Sequence, residues 1–158
     1  MSLENKERVW LEWNGRSEAL RRAESDVSCG IRYLRSIGKE RCGNAVVWGN
    51  AVDAVRFASR ASGSLKFDFA YVNPQNADPA KSAKTEMLSS LVQILMHIRT
   101  HLSDKRTAVV RPAPSMLNET AVLLGDVFPE RIIKRASVMR GYDGFTELVL
   151  ACPANCVP

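Results

Sequence analysis

Lys66-Phe67-Asp68-Phe69-Ala70-Tyr71-Val72-Asn73-Pro74-Gln75 decides how this chain reads. A lysine leads six residues rich in aromatic and β-forming side chains, and Asn-Pro follows. An apolar run closed by proline, which has no N–H for a ladder, predicts a buried parallel strand that stops at a loop. In open α/β sheets the loops just past the carboxyl ends of the strands hold the ligand. Asn73 and Pro74 therefore stand where chemistry is expected.

On the amino-terminal side, Arg8-Val-Trp-Leu-Glu12 reads as a short strand ended by Trp13-Asn14-Gly15, and Ser17 can cap the next helix. Leu20, Ala23, Val27, Ile31 and Leu34 repeat at steps of three and four, a helical stripe that Gly38 suits as a cap. Asn44-Ala-Val-Val-Trp48 is the second predicted strand, followed by Gly49-Asn50-Ala51 and a short helix over Val52 to Ala58.

On the carboxyl-terminal side, residues 76–83 read as a loop. Met87, Leu88, Leu91, Val92, Leu95, Ile98 and Leu102 define the longest helix. Thr107-Ala-Val-Val110 is a strand ended by Pro112, and Ser115 can cap a helix that Pro129 stops. Residues 131–138 and 146–151 are two last strands joined by Arg140-Gly-Tyr-Asp-Gly144, so they pair as a hairpin. Cys152 to Pro158 reads as a tail. The alternation β-α-β-α-β-α-β-α-β-β predicts one α/β domain over residues 1–158, with a mostly parallel sheet and a C-terminal antiparallel hairpin.

Composition is that of an ordinary globular chain, at 46% hydrophobic and 25% charged residues. No apolar run approaches the length of a membrane span, and the first residues lack the apolar stretch of a secretory signal. The net charge of +5 favours a polyanionic partner mildly. Cys29, Cys42, Cys152 and Cys156 fit no zinc spacing, so reduced cysteines and an intracellular setting, cytoplasmic or organellar, are expected. His97 and His101 lie four apart on one helix without a third ligand or adjacent Glu, so a helix face is expected rather than a metal site.

The order of elements with its terminal hairpin resembles the class I S-adenosylmethionine-dependent methyltransferases, from that family's second strand almost to the chain end. The resemblance implies a Rossmann-like sheet truncated at its N-terminal side. It implies cofactor contacts from Glu12, whose carboxylate can accept both ribose hydroxyls, and from Asn50 and Ala51 near the adenine. It also implies that Asn73 and Pro74 correspond to the start of the Asp/Asn-Pro-Pro-aromatic motif that orients a target amine. Gln75 and Asn76 replace the second proline and the aromatic, which removes base stacking by that residue. The layout is most similar to small-subunit rRNA guanine-N2 methyltransferases. Ribose 2′-O methyltransferases share the late strands, but Asn73, Arg111 and Glu147 fit their tetrad poorly.

The family's first strand and Gly-rich loop have no counterpart among the seven residues before the first predicted strand. The expectation is direct pairing of Arg8–Glu12 with Phe67–Val72, or a gap filled by a protein partner or a second copy, since unpaired buried backbone is costly. Two basic sets are candidates for an RNA surface. Arg16, Arg21, Arg22, Arg32 and Arg35 are interleaved with acids, whereas Lys134, Arg135 and Arg140 lie on the last hairpin. Trp13 and Trp48 can cover an adenine or pack in the core. Three functions compete: an RNA base-amine methyltransferase, a methyltransferase-like subunit that binds RNA or protein without catalysis, and an unrelated α/β domain.

Overall fold

A computed structural model describes residues 11–25, 50–61, 66–74, 83–139 and 144–155. The first helix, α1 (Arg16–Glu24), starts from Gly15 at φ 93°, a left-handed conformation that glycine adopts without a Cβ penalty. Ser17 therefore lies inside the helix instead of capping it. The helix ends at Ser25, whose ψ of 134° is extended, well before Leu34, where the apolar stripe ran. Val27, Ile31 and Leu34 lie outside the described residues.

Helix α2 (Ala51–Ala61) is capped by Asn50, whose Oδ1 accepts the Val52 N–H at 2.9 Å. Strand β1 (Ala70–Val72) is shorter than expected and buried on one face only, with Phe69 and Tyr71 exposed, where a buried strand was expected. Phe67 makes only an isolated bridge to Leu102, and the backbone bends at Asp68. Helix α3 (Ala83–His101) then runs back along the sheet to β2 (Ala108–Val110). A 3-10 turn, Pro114–Met116, leads into α4 (Leu117–Val127), so Ser115 belongs to the turn rather than to a cap. Strands β3 (Ile132–Met139) and β4 (Phe145–Cys152) form the closing hairpin.

The sheet order is β1-β2-β4-β3. Only β1 and β2 pair parallel; β2 with β4 and β4 with β3 pair antiparallel. The described sheet is thus a mixed, open one and not the mostly parallel sheet expected. The expected hairpin is present, and its returning strand β4 takes the slot beside β2, so that β1, β2 and β3 share one direction and β4 opposes them. The two other expected parallel strands contribute nothing to the described sheet. Leu11 and Glu12 are outside any strand, and residues 8–10 and 44–48 lie outside the described residues.

Opposed residues share a face of a sheet. Ala70, Ala108 and Ala151 form one row, and Val72, Val110 and Val149 the next row on the same face. These side chains join Leu91, Leu95, Leu123 and Phe128 in one apolar cluster, which places α3 and α4 over this face. Each fully buried Leu or Phe there stabilises the fold by about 1.5–3 kcal/mol. Lys84 of α3 pairs with Glu119 of α4 at the rim of that layer. Among the described residues no helix is long and apolar enough to cross a membrane.

Candidate functional site

The crossover β1–α3–β2 brings the carboxyl ends of two parallel strands together. Arg111, just past β2, donates its N–H to the Val72 carbonyl at 2.9 Å. Asn73 leaves β1 at this end and is exposed, while Pro74 is half-buried. The amide is therefore at a strand exit, open to solvent. Among the described residues β1 is the edge of the sheet.

The expected cofactor residues have protein partners or lie open to solvent. Glu12 has a side chain 67% exposed and stands 4.0 Å from Arg16, whose other guanidinium nitrogen binds Asp126 at 2.6 Å. Asn50 spends one lone pair of Oδ1 on the α2 cap, and Ala51 beside it is exposed. A cleft of about 530 Å³ lies between α1, α2 and α3, lined by Glu18, Arg21, Arg22, Asn50, Asp53 and Arg56 among others. Asn50 is the only one of the expected cofactor and amine-binding residues on its described walls; Glu12, Ala51, Asn73 and Pro74 are not.

This cleft is cationic and internally paired. Glu18 accepts from Arg21 and Arg22, each at 2.8 Å. Those two guanidiniums, Arg21 first, hold the Glu18 carboxyl at about 2, well below its ordinary 4.5. The same pairing pushes Arg21 upward. Arg56 is buried, donates Nε–H to His97 Nε2 at 2.9 Å, and binds the Arg22 carbonyl near the end of α1. The sequence does carry a signal for Arg56. It follows Val52 by one helical turn and so lies on the face of α2 that meets α3.

The histidine pair serves packing. His97 accepts from Arg56, and His101 Nδ1 lies 2.7 Å from Thr100 Oγ1 with its ring 6.1 Å from Phe67. Among the described residues no group of three His, Cys, Asp or Glu side chains could hold a metal ion. Cys152 is the buried last residue of β4 and not the start of a tail.

The basic sets divide. Lys134 and Arg135 are consecutive on β3 and project from opposite faces: Lys134 sits across from Leu150, Arg135 across from Val149. Arg140, with Arg32, Arg35 and Trp48, lies outside the described residues. Arg16 turns inward to Asp126. Trp13 is half-buried against the core and donates its indole N–H to Ser89 at 3.0 Å. Glu147 of β4 accepts from Ser137 at 2.5 Å.

The chain matches no protein-family model and no curated protein sequence.

Proposed function

We propose that this chain is a methyltransferase-like protein that works on RNA, and that binding is the part of the activity its own residues carry. The observation behind the reading is the exposed Asn73, followed by half-buried Pro74, at the carboxyl end of β1, beside β2 and next to a closing antiparallel hairpin that bears Lys134 and Arg135. That end of a parallel pair is where α/β folds receive ligands. Lysine and arginine on the hairpin supply phosphate contacts.

S-adenosylmethionine does not fit the described residues. Glu12 is solvent-facing and tied to Arg16, Asn50 is used by the α2 cap, and among the described residues the cleft that Asn50 lines holds neither Glu12 nor Asn73. These commitments favour a binding or assembly subunit over a transferase. The exposed amide of Asn73 favours the transferase form, acting on a base exocyclic amine, because an amide oxygen there can accept the amine hydrogens.

The test pairs two assays on the full chain. RNA affinity, measured by filter binding across a salt series, is expected to fall on Lys134→Glu with Arg135→Glu and to be unchanged by Asn73→Ala. Calorimetry with S-adenosylmethionine is expected to show no binding. Micromolar cofactor binding, together with methyl transfer to RNA that Asn73→Ala abolishes, establishes the transferase form. Loss of neither affinity nor activity in any of these variants removes the RNA reading.

A further inference from the structure

The closing hairpin is longer than the sheet that carries it. Strand β2 ends at Val110, opposite Val149, whereas β3 and β4 continue through Ala136–Leu148, Ser137–Glu147, Val138–Thr146 and Met139–Phe145. This overhang leaves Val138 48%, Met139 69% and Phe145 69% exposed. Among the described residues β3 is paired on one side only, along all eight of its residues. A long, regular edge with apolar side chains is a template for another strand.

We propose that two copies of this chain pair antiparallel through β3, about a dyad that passes through Ala136. A dyad normal to the sheet keeps each face on its own side, so only residues of the same face can oppose one another. Centring the pairing on Lys134 or on Arg135 sets two like cations directly opposite, which is unfavourable. Centring it on Ser137 shortens the ladder. With Ala136 at the centre, a small side chain meets itself, and residues 133–139 of both copies pair.

Every opposition in that register is complementary. Met139 of one copy lies beside Ile133 of the other, and Ile133 already packs on the core. The exposed pair Met139–Phe145 is thereby extended by an apolar neighbour. Val138 falls against the alkyl stem of Lys134 on the opposite face. Arg135 meets Ser137 of the second copy, whose hydroxyl is bonded to Glu147 at 2.5 Å. A long guanidinium side chain crosses one strand spacing to reach that carboxylate, so the dyad creates two equivalent Arg135–Glu147 pairs between copies. The basic face bearing Lys134 is doubled by the same contact. The surface involved is small, which implies a dimer that forms and dissociates with concentration. This inference does not depend on the RNA reading.

Sedimentation velocity on nuclease-treated full chain over a concentration series tests it. A monomer–dimer equilibrium is expected. Arg135→Glu and Glu147→Arg should each weaken the dimer about tenfold, and their combination should restore it, because the pair is merely reversed. Met139→Lys, at a position that is mostly exposed in one copy, should weaken the dimer while leaving the circular dichroism spectrum unchanged. It decides the matter if a charge variant fails to fold. A chain that stays monomeric throughout, a dimer that vanishes on nuclease treatment, or a dimer indifferent to Met139→Lys and to both charge reversals overturns the proposal.

Discussion

The Trp13 indole N–H donates to Ser89 Oγ at 3.0 Å, bridging the segment ahead of α1 to α3. Trp13 also has the Arg16 guanidinium 5.8 Å from its ring and packs against the core cluster. The side chain that could have covered an adenine is thus a brace between two helices. A double-mutant cycle of Trp13→Phe and Ser89→Ala, followed by urea denaturation, should give a coupling of about 0.5–1.5 kcal/mol. Zero coupling would show that the bridge does not hold the helices.

Asn50 offers a sharper choice between structural and cofactor roles. As the cap of α2 it should lose about 0.5–2 kcal/mol of stability on change to Ala, and much less on change to Asp, which keeps the accepting oxygen. Thermal denaturation of the two variants checks this. Equal melting temperatures for Asn50→Ala and the unaltered chain would remove the cap.

The Glu18 carboxyl should titrate near 2, against an ordinary 4.5, because Arg21 and then Arg22 hydrogen-bond its charged form. A folded-state value below the unfolded one contributes stability above the unfolded value, and that contribution is lost as pH falls through the folded value. The affected window is therefore from about 4.5 down to about 2. Carbon-13 NMR of the side chain should show the low midpoint. The double change Arg21→Ala with Arg22→Ala should return it toward 4.5. A midpoint near 4.5 in the unaltered protein contradicts the pairing.

Phe128 closes α4 and has no exposed surface, its N–H bonded to the Leu124 carbonyl at 2.8 Å. Phe128→Ala should cost about 3–5 kcal/mol through lost burial and the cavity left behind. Phe69, 61% exposed, should cost no more than about 0.5 kcal/mol on the same change. Chemical denaturation of both variants measures the contrast. A comparable cost at the two positions would mean that the face bearing Phe69 and Tyr71 is covered in solution.

The second half of the fold is legible in the sequence because its signals are local and agree. The apolar repeat through Leu88, Leu91, Leu95 and Ile98 has helical period, and α3 follows it. Strand β2 needs no alternation to be read, since Ala108, Val109 and Val110 form a short β-forming run and all three are buried. Glycine at both ends of its turn marks the hairpin. Two expected caps fail for one reason. Ser17 and Ser115 are good capping residues, but Gly15 and the Pro114–Met116 turn begin the helical path elsewhere. The site is less legible. Glu12, Asn50 and Asn73 are joined by their order in a resemblance, and order says nothing about what each side chain binds. Arg16, Arg56 and Trp13 find protein partners far along the chain.

Local chemistry by itself determined where helices and strands form in the second half of the chain, since period, proline and glycine act within a few residues. It also determined that an asparagine stands at the exit of β1. Only the tertiary structure decided that β4, and not β3, takes the place beside β2. A turn encodes the pairing within the hairpin, but the pairing of β2 with β4 is set by burial of faces across a long sequence separation. The same long-range packing assigned Arg16 to Asp126 and Arg56 to His97, because a buried cation must find a partner wherever the fold supplies one.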